Sequence, residues 1–254
     1  MNDDVCLGLR LHVPFWCSFR DPLTSNLHRT FPVPPPSTLY GLIAAALGLP
    51  QDDQARRGAL RFAVAVEQAG ELVETYSKWM KAAEGAKDAA GMEARNAMRA
   101  RGLLTPDESI WISTPLIRQK LIQPVFAVGI LCRQEVADEV AAAVRRPAFP
   151  LYLGESDDVV DVEVLGQKTP QPSAAAATGA VSGVHAGGTL ASLPCRFTAA
   201  TRGRWELTRW LVTVPRPGMP LTTTSSELVT CHGHTWCFEP PAMPATFDLP
   251  ESPA

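Results

Sequence analysis

From residue 5 the chain alternates. Val5, Leu7, Leu9, Leu11 and Val13 are apolar, and Cys6, Gly8, Arg10 and His12 lie between them. A period of two marks a half-buried strand, and the second face of this one, with Arg10 and His12, is expected to be wet or covered by a partner. Pro34, Pro35 and Pro36 force extended backbone. Leu39, Leu42, Ile43, Ala46 and Leu47 then recur at helical spacing, with Ser37 or Thr38 as the expected cap and Gly48 as the stop. Phe62, Val64 and Val66 alternate with Arg61, Ala63 and Ala65 in a second strand, and Glu71 to Lys78 read as a third across an expected tight turn at Ala69 and Gly70. Val125 to Cys132 reads as a buried strand. Gln134 to Arg146 reads as a helix with Val136, Val140 and Val144 four apart, closed by Pro147, and Val159 to Leu165 as another strand. The order strand–helix–strand–strand–helix–strand is the ferredoxin-like plan, which RNA-recognition domains share.

The predicted fold class is therefore α+β. A ferredoxin-like (RRM-like) N-terminal domain covers residues 1–168 and carries a long, partly helical thumb insertion at about 79–123, longer than the ~12–15 residues of an ordinary loop. A flexible Ala/Gly/Pro loop is expected over 169–190. A smaller β-rich C-terminal part follows over 191–254, with strands in Cys195 to Pro215 and Glu227 to Phe238.

Composition narrows the functional classes. The 254 residues suffice for one large domain or two small ones, and 46% hydrophobic with 19% charged residues is ordinary for a globular protein. No apolar run approaches the ~18 residues of a membrane span, and the acidic start Met1-Asn2-Asp3-Asp4 lacks the basic opening of a signal peptide. No membrane partner and a cytoplasmic location are expected. Six cysteines are too few for a disulfide scaffold, so Cys6 and Cys132 are expected as buried, reduced thiols. A net charge of −3 argues against wrapping long nucleic acid by bulk electrostatics, so any RNA site must come from a few placed residues.

The proline arm aims a helix N-terminus outward, and free N–H groups with the helix dipole suit a phosphate. Ser37 and Thr38 would add hydroxyls, and Arg20 and Arg29 charge; capping alone accounts for Ser37 and Thr38 equally well. Arg95, Arg99, Arg101, Arg118 and Lys120 make the insertion basic, either as an RNA contact or as a solvated face. Cys231, His232, His234 and Cys237 fall within seven residues and are zinc candidates by ligand type. Structural zinc sites pair two spaced couples, however, and a strand with a turn at Gly233 explains this cluster too. No P-loop and no nucleophile elbow occurs, and no cofactor is expected.

Four blocks carry a family resemblance. Phe19, Arg20 and Pro22, then Phe31 to Leu42, resemble the N-terminal signature of the Cas-five family, the fifth CRISPR-associated protein family. Thr114 to Ile122 resembles its Pro-x-x-Arg-x-x-Leu element, Phe149 to Asp158 its Tyr-Leu-Gly-x-Ser turn, and Leu193 to Phe197, more weakly, a C-terminal strand. The resemblance implies a member of the repeat-associated RNA-binding superfamily: a structural, non-catalytic subunit of a type I Cascade complex in antiviral defence. Such a subunit caps the backbone filament and holds the 5′ handle of the guide RNA (crRNA). The implied partners are the crRNA, the Cascade backbone subunits, the large subunit and a separate processing nuclease, with target DNA reached through the complex. By matched position, the resemblance assigns RNA contact to Arg20, Ser37, Thr38 and Arg118, with Gly154 and Ser156 shaping a turn near the handle. Tyr40, beside the signature serine and threonine, joins the RNA-binding candidates. One branch of the family is a metal-independent endoribonuclease that processes precursor crRNA with Tyr, Lys and His. Its neighbouring Lys-His pair is missing here, though Tyr40, His12 and His28 are present.

Overall fold

The computed structural model describes residues 4–21, 24, 27–50, 54–82, 93, 96–98, 100–102, 111–174, 176–200, 204–223 and 227–241. In chain order the elements are β1 (Asp4–His12), β2 (Trp16–Cys17), β3 (Leu27–His28), α1 (Pro36–Leu47), α2 (Gln54–Gly58), β4 (Arg61–Gln68), β5 (Glu71–Ala82) and β6 (Trp111–Ile122). Then come β7 (Val125–Arg133), α3 (Gln134–Arg145), β8 (Asp161–Lys168), β9 (Gln171–Pro172), β10 (Val181–Ser182), β11 (Gly188–Ala200), β12 (Arg204–Pro215), β13 (Val229–Cys231) and β14 (His234–Trp236). The chain divides into two compact units, one of residues 1–19, 31–71 and 121–254, the other of residues 20–30 and 72–120.

The larger unit is built on an antiparallel sheet in the order β4-β7-β1-β8. With α1 between β1 and β4, and α3 between β7 and β8, this is the ferredoxin-like arrangement. Leu7, Leu9 and Leu11 of β1, Phe62 and Val64 of β4, and Phe126, Val128 and Ile130 of β7 form one core with Leu39, Leu42 and Ile43 of α1 and Val140 and Val144 of α3. Gly48 ends α1 in the left-handed conformation (φ 70°), and its N–H reaches the Ala44 and Ala45 carbonyls.

The start of α1 differs from expectation. The N-cap position is Pro35, in extended backbone, and no side chain caps the helix; Pro36 opens it, and Ser37 and Thr38 lie inside the first turn. Proline's fixed φ suits the first helical position, where the N–H it lacks would have had no partner within the helix. The proline arm thus starts the helix two residues ahead of a Ser37 cap and three ahead of a Thr38 cap, which leaves both residues inside the first turn.

The other face of the sheet is covered by the C-terminal part of the chain. Cys6, Ala63, Ala65 and Ala127 form a second core with Cys231, Trp236 and Phe238. The pairing registers Ala63–Gly129, Gly129–Gly8 and Gly8–Gly166 place a row of glycine and alanine across all four strands. That row is a trough. A Cβ on Gly129 would sit 2.6 Å from the Trp236 ring, and one on Gly8 2.7 Å from the His232 ring. Glycine weakens a strand unless something approaches closely, and here two rings do.

Residues 169–190 are not the flexible loop that their composition suggests. They hold β9 and β10, and Ala177, Ala180 and Val181 are fully buried. The long β11–β12 hairpin adds Leu193, Trp210, Val212 and Val214 to the first core, so residues 191–241 belong to the same compact unit as the ferredoxin-like part. Small residues fill this unit's crevices, which is why an Ala/Gly-rich stretch reads as a linker and packs as core.

In the smaller unit, β6 pairs with β5 and, in parallel, with β3 through Leu27–Ile117 and His28–Arg118. The expected hairpin between the second and third strands is therefore absent: β5 pairs with β6, not with β4. The insertion expected to be partly helical is flanked by these two 12-residue strands, and its compact unit begins at Leu72 and also takes in Arg20–Thr30. Among the described residues, no helix is long and apolar enough to cross a membrane.

Candidate nucleic-acid interface

The smaller unit gathers three of the sequence-predicted arginines. Arg20 lies opposite Thr30 in an antiparallel bridge, and Asp21 N–H donates to the Arg29 carbonyl at 2.9 Å. Arg29 follows His28, whose parallel register partner is Arg118. Arg20 and Arg29 are exposed and Arg118 is half-buried. Gln119 braces the arrangement: its side-chain carbonyl accepts from Thr30 N–H at 3.4 Å and its amide donates to Glu74 at 3.1 Å. Arg101 is exposed, whereas Arg95 and Arg99 lie outside the described residues. Lys120 is buried.

In the larger unit, Ser37 and Thr38 are half-exposed in the first turn of α1, where, among the described residues, no side chain at the N-cap position caps the helix. Free donors at a helix start are an anion's natural ligands. Gly154 has φ 119°, and a Cβ there would lie 2.4 Å from the Ser18 carbonyl oxygen, so glycine is obligatory. The fully buried carboxylate of Asp158 accepts from the backbone N–H groups of Ser18 and Glu155, both at 2.9 Å. The Tyr-Leu-Gly turn is thereby bolted to the residue preceding Phe19. This joint brings together two blocks far apart in sequence, and Asp158 is its clasp. Ser156 projects exposed from the same turn.

Tyr40 has a structural partner. The Arg57 guanidinium lies 5.7 Å from its ring and 5.1 Å from that of Phe62. Arg57 itself is buried, donating to Glu239 at 2.7 Å, to the Cys195 carbonyl at 3.0 Å and to the Leu60 carbonyl at 2.9 Å. Arg196 stands 3.8 Å from Glu239, and burial, then the Arg57 charge, pull its pKa down. Of the nuclease candidates, His12 is exposed beside Asp161 at 3.8 Å, and His28 is buried in the smaller unit.

Sequence reasoning passed over four exposed aromatics of the larger unit: Phe15, Trp16, Phe149 and Tyr152. The Phe15 and Trp16 rings lie 6.1 Å apart at 52°. Aromatic faces left in solvent are what unstacked bases seek. Their signal was position: Phe15 and Trp16 stand just before the Phe19-Arg20 block, and Phe149 and Tyr152 lie within the Phe149 to Asp158 block.

The Cys/His cluster folds as the β13–β14 hairpin, with His232 and Gly233 at its turn. It does not converge as a set of four. The His234 ring stacks on Trp236 (5.2 Å) and bonds Glu67 at 3.3 Å, and Cys237 is buried with the first core. Cys231 and His232 instead meet Cys6 of β1, with ligand atoms all within 4.8 Å of one another. The Cys6 thiol is held strongly protonated by its hydrogen bond to Cys231, and Cys231 is correspondingly lowered. Burial pushes the Cys132 and Cys195 thiols up to about 12, which keeps them unreactive.

The family model for CRISPR-associated protein (Cas_Cas5) matches residues 6–213. The chain belongs to the Cas5 family. Its fold resembles a chain of a solved CRISPR RNA-guided surveillance complex, with TM-score 0.56 and 20% identity over 85% of this chain and 90% of that one. A structure described as a Cas protein gives TM-score 0.44 at 21% identity (84% of this chain, 99% of that one). A CRISPR protein from Archaeoglobus fulgidus gives 0.45 at 12% (92% and 99%). Of these three, only the first exceeds 0.5, and at its identity it speaks for the Cas5 chain's fold. No curated protein matches.

Proposed function

We propose that this Cas5-family chain is a subunit of a CRISPR effector complex that grips the 5′ handle of the guide RNA without cutting it. The observation that carries the proposal is the grouping of Arg20, Arg29 and Arg118 at neighbouring positions of the smaller unit. Two of these arginines come from the signature blocks of the family. A net charge of −3 leaves RNA binding to such placed groups. Arg20 and Arg29 take backbone phosphates, the uncapped first turn of α1 offers further donors, and Phe15 and Trp16 stack bases. Backbone and large subunits are its neighbours in the complex. The reading as a binder that does not cleave draws support from the acid–base candidates: His12 is engaged by Asp161 and the Tyr40 ring by Arg57, whereas general acid–base catalysis needs titratable groups converging on one proton.

The test is a repeat-RNA binding assay with chelator present, run on native and denaturing gels side by side. A shifted but intact band is expected. Arg20→Ala should weaken binding and lower the salt dependence by about one phosphate contact, with unfolding unchanged. A product of defined length would replace this reading with the endoribonuclease one and direct mutagenesis to Tyr40, His12 and His28.

A further inference from the structure

We propose that Cys6, Cys231 and His232 form a site for a borderline-soft divalent metal of the zinc type, which clasps the C-terminal hairpin to the first strand of the sheet. The three residues come from β1, from the end of β13 and from the hairpin turn. Their ligand atoms lie within 4.8 Å of one another. Tetrahedral thiolate and imidazole ligands at bond lengths of about 2.0–2.3 Å stand roughly 3.5–4 Å apart, so a small inward movement completes the geometry.

Three features make this more than two thiols near a ring. First, the His232 Nε2 lies 3.0 Å from the Cys6 carbonyl oxygen. A carbonyl only accepts, so Nε2 carries the hydrogen and the neutral ring keeps its lone pair on Nδ1. A backbone carbonyl holding the second ring nitrogen is the outer-shell device that orients metal-binding histidines. Second, the ring is seated against bare backbone: a Cβ on Gly8 would come within 2.8 Å of Nδ1. The glycine in mid-strand thus places the imidazole beside Cys6, two residues away. Third, His232 has φ 51° and Gly233 φ 81°. Two positive φ values in a two-residue hairpin loop favour Asn-Gly, yet this turn spends its first position on histidine.

The donor set selects the metal. Two thiolates and one imidazole suit zinc over calcium or magnesium. Cys6 and Cys231 are buried and His232 is half-exposed, so the sulfurs are shielded while the ring side stays open for entry. The fourth position falls to water or to a backbone carbonyl such as that of Lys168, 4.0 Å from Cys231 Sγ. Binding releases the two thiol protons and changes no oxidation state. Of the four ligands suggested by sequence spacing, only Cys231 and His232 remain, and Cys6 is the one that spacing could not supply.

The test uses the full chain, reduced, stripped of metal by chelator and titrated with cobalt(II). One equivalent is expected to bind, with a thiolate-to-cobalt charge-transfer absorption that zinc abolishes by displacement. Cys231→Ser should lose the band. His232→Asn, which keeps a residue suited to positive φ and so keeps the turn, should weaken binding at least tenfold while leaving far-UV dichroism unchanged. Zinc should raise the thermal midpoint of the wild type and not that of His232→Asn. Absence of the thiolate band in reduced wild-type protein, or equal affinity in His232→Asn, would overturn the proposal.

Discussion

The two faces of the β4-β7-β1-β8 sheet solve the same problem with opposite materials. The helix face is built from large aliphatic and aromatic side chains, among them Leu7, Leu9, Leu11, Phe62 and Phe126, meeting α1 and α3. The hairpin face is built from Gly8, Ala63, Ala65, Ala127 and Gly129, and imports its bulk from Trp236 and Phe238. The first face follows from side chains on the strands themselves. The second follows from their absence, which leaves a trough for rings that arrive from the far end of the chain. The comparison bears on function. In the RNA-recognition plan, the face away from the helices carries base-stacking aromatics; in this Cas5 chain it is sealed by the chain's own hairpin. That face is therefore closed to the base stacking which the RNA-recognition plan places there.

If the hairpin face is true core, Trp236→Ala should be the most costly change on it, at about 3–5 kcal/mol, matching Phe126→Ala on the helix face. Urea unfolding of the two variants checks this. An unaltered midpoint for Trp236→Ala would mean that the hairpin lies on the sheet without supporting it.

Gly129→Ala adds a single methyl where the Trp236 ring stands 2.6 Å from the new Cβ. Overpacking of this kind costs about 1–3 kcal/mol. The cost should shrink when combined with Trp236→Ala, because the clash and its cause are then both gone. Strict additivity in that double-mutant cycle would break the trough description. On the helix face, Ile130→Val, at full burial, should cost only about 0.5–1.5 kcal/mol, since aliphatic packing tolerates a lost methyl better than a trough tolerates a gained one.

The smallest effect concerns the polar rim of the hairpin face. Arg10 donates to Glu67 at 2.7 Å and to Glu163 at 3.1 Å, and His234 bonds Glu67. The hydrogen bond from Arg10 is the main reason that Glu67 titrates below its ordinary 4.5. A carboxylate lowered in the folded state stabilises it above the unfolded value, and that contribution fades as pH falls through the folded value. Stability of the wild type should therefore decline more steeply below about pH 4.5 than that of Glu67→Gln, in thermal midpoints taken across acid pH. Parallel curves would show the rim to be energetically neutral, as many solvent-screened pairs are.

The same contrast explains what could be read in advance. Alternation along β1 and β4, the helical spacing of Leu39, Leu42, Ile43 and Ala46, and the stop at Gly48 are local signals, and the elements stand where they point. The signature around Arg20 and Ser37 was legible as text. Ser37 and Thr38 are not the cap because Pro36 takes the first helical position and puts both inside the first turn. The burial of Lys120, the clasp by Asp158 and the partnership of Tyr40 with Arg57 carried no local mark, since each depends on a residue distant in sequence.

By itself, then, the sequence determined the ferredoxin-like order of elements, because backbone periodicity and turn chemistry act over a few residues. Only the tertiary structure decided which face of the sheet is sealed, that Gly8 and Gly129 lie side by side beneath two rings, and that Cys6 meets Cys231 and His232. Those facts rest on strand register and on the return of the C-terminal hairpin, and register is a relation between segments that neither segment encodes alone.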